Sequence, residues 1–338
     1  MPGRDNRGMA DLLLLFIPFF ALVLLGWAAA RGGLVPLEGI GALNSFVLYF
    51  GLSAMVFRLG ASGALHQAGL ASLLLAYGVA GFAVAGLALA WSVRQGLTRL
   101  DGGLAALATA FPNTGFLGLP LLTGLLGPQA AGPVAATLVV DVLVLSSLCL
   151  AWAHSRRSPD AQGRRALASA FKGALRNPLL WAMAAGMLVA ETQAKLPHPL
   201  DETLRLLGLS ATPAALFTLG AMLARAAAAK RSAPGTEAAA RAHPVWLPAL
   251  FKLALHPALV WSIGQALPAV GVSVPRDGLL VLTMAAALPS ASNVSMLAER
   301  EGASTALVAR IILWTTAAAL ISLAFWARLL GVHPAAGT

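Results

Sequence analysis

Apolar residues run through this chain in blocks of about 20, the length an α-helix needs to cross a hydrocarbon core, with short polar stretches between them. The blocks fall at Leu12–Ala30, Leu34–Phe57, Ala68–Val93, Gly102–Leu126, Ala131–Ala153, Asn177–Leu196, Thr203–Leu223, Val245–Val270, Gly278–Ala298 and Ala303–Leu330. Read as helices, they predict an all-α membrane protein with ten spans. The longest polar connections, His154–Arg176 and Arg225–Pro244, are too short and too rich in Ala, Arg and Ser to fold alone, so no soluble domain is expected.

One block is built against helix formation. From Ala110 to Pro120 it reads Ala-Phe-Pro-Asn-Thr-Gly-Phe-Leu-Gly-Leu-Pro. Pro112 removes a backbone donor and crowds the carbonyl of Ala108, Gly115 and Gly118 make helix costly, and Pro120 repeats the proline. In lipid, freed backbone groups cost several kcal/mol each unless protein or a water-filled cavity satisfies them, so a break at this depth predicts a buried, polar-lined interior site.

Composition agrees with the pattern. Of 338 residues 58% are hydrophobic and 11% charged, with a mean hydropathy of +0.79, which excludes an ordinary soluble domain. The single cysteine, Cys149, excludes disulfides and cysteine-based metal clusters, and no metal or other cofactor is expected. The net charge of +10 points to topology rather than to nucleic acid. Fourteen Lys and Arg fall in the connections after odd-numbered spans and seven on the other side, so by the positive-inside rule both termini lie outside the cytoplasm, which needs an even number of spans. The first block, following Arg4 and Arg7 and ending in Ala28-Ala29-Ala30, imitates a signal peptide. It is read as a retained helix because it has an internal counterpart.

That counterpart comes from a repeat. Pro18 and Pro178 differ by 160 positions, as do Gly60 and Gly220, where Phe57-Arg-Leu-Gly-Ala61 matches Phe217-Thr-Leu-Gly-Ala221. Ala110-Phe-Pro112 is matched by Ala287-Leu-Pro289 at an offset of 177, the growth being largely absorbed by the longer Arg225–Pro244 loop. Spans four and nine are therefore equivalent broken helices. Residues 1–153 and 177–338 form two five-span repeats around a cytoplasmic linker at 154–176. Five is odd, so the second repeat is inverted, an arrangement in which two discontinuous helices cross near the bilayer midplane.

At this level the chain resembles a known family. Pro112-Asn-Thr-Gly-Phe-Leu-Gly-Leu-Pro-Leu-Leu122 is similar to the fourth-helix crossover of the auxin efflux carriers, which include the plant PIN-FORMED carriers and bacterial permeases assigned to malate or malonate. Asn44-Ser-Phe-Val, the stretch from Ala286 to Glu299, and Ser304-Thr-Ala-Leu-Val agree with it, and the resemblance runs from Leu12 to Leu330. It implies a scaffold of spans 1, 2, 6 and 7, a transport domain of spans 3–5 and 8–10, and a homodimer in the plasma or inner membrane. It also implies elevator-like movement of small organic anions without ATP. Two departures stand out: Leu52-Ser53 replaces a proline common in span two, and Arg310 stands where many members have a small residue.

The polar residues of the breaks are the candidate substrate ligands. Asn113 and Asn293 carry carboxamides that either hold a carboxylate or cap a broken helix. Thr114, Ser290 and Ser292 offer hydroxyls, with bonding back to their own helix as the plain alternative. Asn44 faces the site from the scaffold if the resemblance holds, and interhelical bonding is its rival. Pro112, Gly115, Pro120 and Pro289 shape the crossover. Among charges inside spans, Asp141 is the one clear carboxylate, with Lys252, His256 and Arg310 as basic candidates for proton or ion coupling. A static Asp141–Lys252 or Asp141–Arg310 pair, a snorkelling Lys252 and a satisfied core His256 are the alternatives.

These features favour a secondary carrier of organic anions, carboxylates or auxin-like aromatic acids. A sodium- or proton-coupled cation antiporter or symporter of related inverted fold is the competing class, although Asn113 and Asn293 are neutral where a carboxylate pair is expected. An enzyme is not expected: His-Glu-x-x-His, Gly-x-Ser-x-Gly, paired aspartates and a phosphate-binding Gly-x-x-x-x-Gly-Lys loop are all missing.

Overall fold

Helix is the one way a lipid-exposed single segment satisfies its own backbone, and the chain uses it throughout. The computed structural model describes residues 5–63, 69–154, 178–232 and 243–332. Among these the regular elements are α1 (Asp5–Arg31), α2 (Leu37–Ala61), α3 (Leu70–Arg94), α4 (Arg99–Ala110), α5 (Thr114–Leu126), α6 (Ala131–Ala153), α7 (Pro178–Thr192), α8 (His198–Ser232), α9 (Trp246–Val270), α10 (Arg276–Ala286), α11 (Asn293–Glu301) and α12 (Thr305–Leu329). Six of these, α2, α3, α6, α8 (through its His198–Arg225 part), α9 and α12, are long and apolar enough to cross a membrane. Their outer surfaces carry large apolar side chains in the open, such as Leu209 and Ile321, as a lipid-facing belt requires. The linker expected at 154–176 lies, past His154, outside the described residues, as do residues 233–242 of the second basic connection.

Several spans widen locally to π-helix, and the causes can be read from the residues. In α9 the wide turn Phe251–Leu255 precedes Pro257, which has no N–H to give to the carbonyl of Leu253. That carbonyl instead accepts Ser322 Oγ and Trp326 Nε1 of α12, each at 2.9 Å. In α6 the wide turn Val140–Leu145 is closed by Ser146, whose backbone N–H and hydroxyl both reach the carbonyl of Asp141. In α2, Ser53 Oγ bonds the carbonyl of Leu48 at 2.9 Å, so the serine that replaces the expected proline loosens the helix in its own way.

The starts of α4 and α12 are capped by Thr98 and Ser304. Asp101 joins the two caps: its Oδ2 accepts from Thr98 Oγ1 at 2.7 Å and its Oδ1 from the Ser304 N–H at 2.6 Å. Nearby, His154 at the end of α6 meets Glu301 at the end of α11 at 3.2 Å. These contacts tie together the far ends of the helices that carry the two breaks.

On the opposite flank, α1 packs along α8 and α2 along α7, and glycines set the spacing. A Cβ on Gly26 would lie 1.9 Å from the carbonyl oxygen of Phe217, and one on Gly220 1.8 Å from that of Val23. The second pair repeats the device: a Cβ on Gly186 would lie 2.1 Å from the carbonyl oxygen of Phe57, and one on Gly60 2.8 Å from that of Met183. An ion pair between Arg58 and Asp201 adds a polar tie between α2 and α8. Backbone-to-backbone approach leaves no flexible side chain to move aside, so Gly26→Ala and Gly220→Ala should each destabilise the protein by about 1–3 kcal/mol, as overpacking does. Gly86→Ala, with nothing within 4 Å of the added carbon, should not lower thermal stability measured in detergent.

Candidate functional site

The two proline breaks meet. Pro112 and Ser290 form an isolated antiparallel bridge, in which the Asn113 N–H donates to the Pro289 carbonyl at 2.8 Å and the Ala291 N–H to the Phe111 carbonyl at 2.9 Å. Each break thus supplies the backbone partner that the other lost, which is how irregular backbone survives at this depth. The first break is confined to Phe111–Asn113. Beyond it, Gly115 and Gly118 fall inside a wide turn, Thr114–Gly118, in which Leu117 and Gly118 both donate to the Asn113 carbonyl. Pro120 sits in the first turn of the α-helical part of α5 rather than in the break, a position where a missing N–H is tolerated.

Two side chains hold the second break. Thr315 in α12 accepts the Ser290 N–H at 3.1 Å while donating to Ile311 of its own helix at 2.8 Å. Lys252 Nζ in α9 donates to the carbonyl of Ala286, the last residue of α10, at 2.6 Å. A cation at a helix C-terminus opposes the negative end of the helix dipole and fills an acceptor that the break left open. Thr315 was not singled out by sequence, since a threonine in an apolar helix ordinarily bonds back to its own turn, and Lys252 was expected as a coupling group rather than as a cap.

The candidate ligands converge on this bridge. Asn113 precedes α5 and Ser292 precedes α11, so the positive ends of two half-helices begin beside the crossing. Asn113 is 1% exposed, Thr114 and Ser290 0%, and Ser292 3%. Buried without a hydrogen-bond partner are Asn113 Nδ2, Thr114 Oγ1, Ser290 Oγ and Asn293 Oδ1, together with His256 Nε2 and Thr316 Oγ1. An orphaned buried polar atom ordinarily costs about 1–3 kcal/mol, and four of them lie at or next to the two breaks. Asn44 is buried in α2, and Arg310 is half-buried in the second turn of α12, five residues before Thr315. Thr316 is a further buried polar group that the sequence pattern did not mark.

With this geometry in hand, comparison with known proteins is decisive. The sequence pattern of the membrane transport protein family matches residues 12–327. The chain belongs to this family, the auxin efflux carriers. It is a multi-pass membrane transporter and not an enzyme. It is 29% identical over 318 residues to a protein of Rhizobium meliloti (strain 1021) named "Putative malonate transporter", across 91% of this chain and 92% of that one.

In this member of the family the intramembrane charges lie directly behind the crossing. Asp141, Lys252 and His256 are completely buried, and so is Tyr77, which sequence reasoning passed over. The Tyr77 hydroxyl donates to the Asp141 carboxylate, 2.9 and 3.0 Å from its two oxygens. Lys252 Nζ lies 3.2 Å from His256 Nδ1, and the Tyr77 and His256 rings stack at a tilt, 5.6 Å apart. The bonds found on Asp141 and Lys252 therefore run to Tyr77 and to the end of α10 rather than directly to each other. Removing the acceptor at Thr315 would leave the Ser290 N–H buried and unpaired. Thr315→Val should lower stability by about 1–3 kcal/mol, with Thr315→Ser close to wild type, as read by thermal unfolding of purified protein.

Proposed function

We propose that this carrier moves a small organic anion, binding its carboxylate at the crossing of the two broken helices. The observation that carries the reading is the set of orphaned atoms on Asn113, Thr114, Ser290 and Asn293, gathered where two half-helix N-termini begin. The Asn113 amide N–H and the Thr114 and Ser290 hydroxyls can donate to a carboxylate, the Asn293 Oδ1 can accept only from a hydroxyl or N–H of the ligand, and two positive dipole ends offset the charge without a fixed cation. Ser292 and, from the α2 side, Asn44 complete the proposed lining. The name of the Rhizobium relative makes malonate the first substrate to try, with aromatic acids second.

The reading includes the architecture expected from sequence. Counted with α4–α5 and α10–α11 each as one crossing, the helices among the described residues make ten. The glycine contacts support an inverted repeat: shifting by 160 turns the Gly26–Phe217 contact into Gly186–Phe57, and Gly60–Met183 into Gly220–Val23. In that frame α1, α2, α7 and α8 are the scaffold. The remaining helices, tied to one another through Asp101, Thr315 and Lys252, slide against it as an elevator. Both termini lie outside the cytoplasm, and the membrane is the plasma or inner membrane. A homodimer rests on the family resemblance.

A ligand specific for the folded state raises its stability by about 2.7 kcal/mol at a hundred times its Kd. Malonate or an aromatic acid should therefore raise the melting temperature of the wild type and not that of Asn113→Ala, whose ligand-free melting should match wild type. Stabilisation by sodium alone, with no effect of either acid, would instead favour a cation carrier with Asp141 as ion ligand.

A further inference from the structure

We infer that Tyr77, Asp141, Lys252 and His256 form a proton site that makes this protein a proton–anion symporter, an inference that rests on the anion-carrier reading of the crossing. Asp141 is fully buried at membrane depth, and its carboxylate accepts from the neutral hydroxyl of Tyr77. The groups that face it are Tyr77 from α3, Thr114 from α5 and Lys252 from α9. The Thr114 hydroxyl also faces the carboxylate. His256, one turn beyond Lys252, stacks on Tyr77. Lys252 is thus the cation that balances Asp141 across the cluster, while its own hydrogen bonds go to Ala286 and His256. With the ammonium donating to Nδ1, His256 carries its proton on Nε2, where it is buried and unpartnered.

The coupling follows from charge. In the empty carrier Asp141 is the counter-ion of Lys252, and the crossing has no need of an anion. A proton adding to an Asp141 carboxylate oxygen turns it into a neutral acid and leaves the ammonium, which is clamped to the broken end of α10, uncompensated beside the substrate site. A carboxylate at Asn113 and Ser290 then takes over as its counter-ion. Proton and anion each favour the binding of the other, as linkage requires. One proton and one anion charge enter together and leave together, and the empty carrier returns with Asp141 ionised. No bond other than O–H forms or breaks. Lys252 is a positioning residue in this scheme and Asp141 the proton acceptor.

The test uses full-length protein in vesicles with the membrane potential clamped and a pH-reporting dye inside, with malonate and, if malonate does not exchange, an aromatic acid as probe. Adding the probe outside should acidify the lumen, and its steady-state accumulation should change about tenfold per unit of imposed pH difference, the ratio expected for one proton per anion. Asp141→Asn should lose both responses, and whatever exchange of labelled for unlabelled probe it retains should no longer depend on pH. Asp141→Glu, which restores a titratable acid, should regain them. Exchange without acidification in the wild type, or acidification that survives in Asp141→Asn, overturns the coupling and leaves the carrier reading standing. Absence of both binding and exchange of either acid in the wild type defeats the carrier reading and this inference with it.

Discussion

Two backbone hydrogen bonds between broken helices are the constraint on which the rest of this structure depends. A proline and a run of glycines inside an apolar block leave donors and acceptors that lipid cannot satisfy. One break alone would be an uncompensated defect, but two aligned antiparallel satisfy each other through Asn113 to Pro289 and Ala291 to Phe111. The groups the bridge does not reach are met from neighbouring helices: Ser290 by Thr315, and the end of α10 by Lys252. The helices around the crossing are therefore bound to it by polar bonds that cannot be given up one at a time.

Satisfying the backbone leaves side chains over. Asn113, Thr114, Ser290 and Asn293 are oriented by the breaks but not used by them, and a burial this deep would ordinarily select apolar residues at such positions. Stability at the crossing is thus provided by main chain and by supporting residues, while the orphaned side chains remain available to a ligand. The same division appears on the other flank, where α1 with α8 and α2 with α7 approach through glycines at carbonyls, an interface of close backbone contact and few polar bonds.

The family assignment and the geometry inform each other. Membership among the auxin efflux carriers establishes a transporter, and the crossing locates where such a protein of this sequence has polar groups to spare. The charged cluster behind the crossing belongs to this chain's own residues: a tyrosine, an aspartate, a lysine and a histidine from three helices, none in a lipid-facing position, with Lys252 bonded to the broken end of α10.

The helical class, the positions of both breaks and the family were legible in the sequence, because lipid imposes length and apolarity on each segment independently of its neighbours. That Asn113, Thr114, Ser290 and Asn293 lie at the breaks was legible for the same reason, since polar residues beside prolines in apolar blocks stand out locally. The extent of the first break was not. Gly115 and Gly118 relax into a wide turn and Pro120 rejoins the helix, because the bridge to Ser290 already satisfies what a longer unwinding would have exposed. Nor were the partners of Asp141 and Lys252 legible, nor the bonds that Tyr77 and Thr315 make to them and to the second break. Charge alone pairs an aspartate with the nearest base, and only the tertiary structure decided that Tyr77 would face Asp141 and that Lys252 would be spent on a broken helix end. Those choices depend on the depth and rotation of helices far apart in the chain, which packing fixes and composition does not.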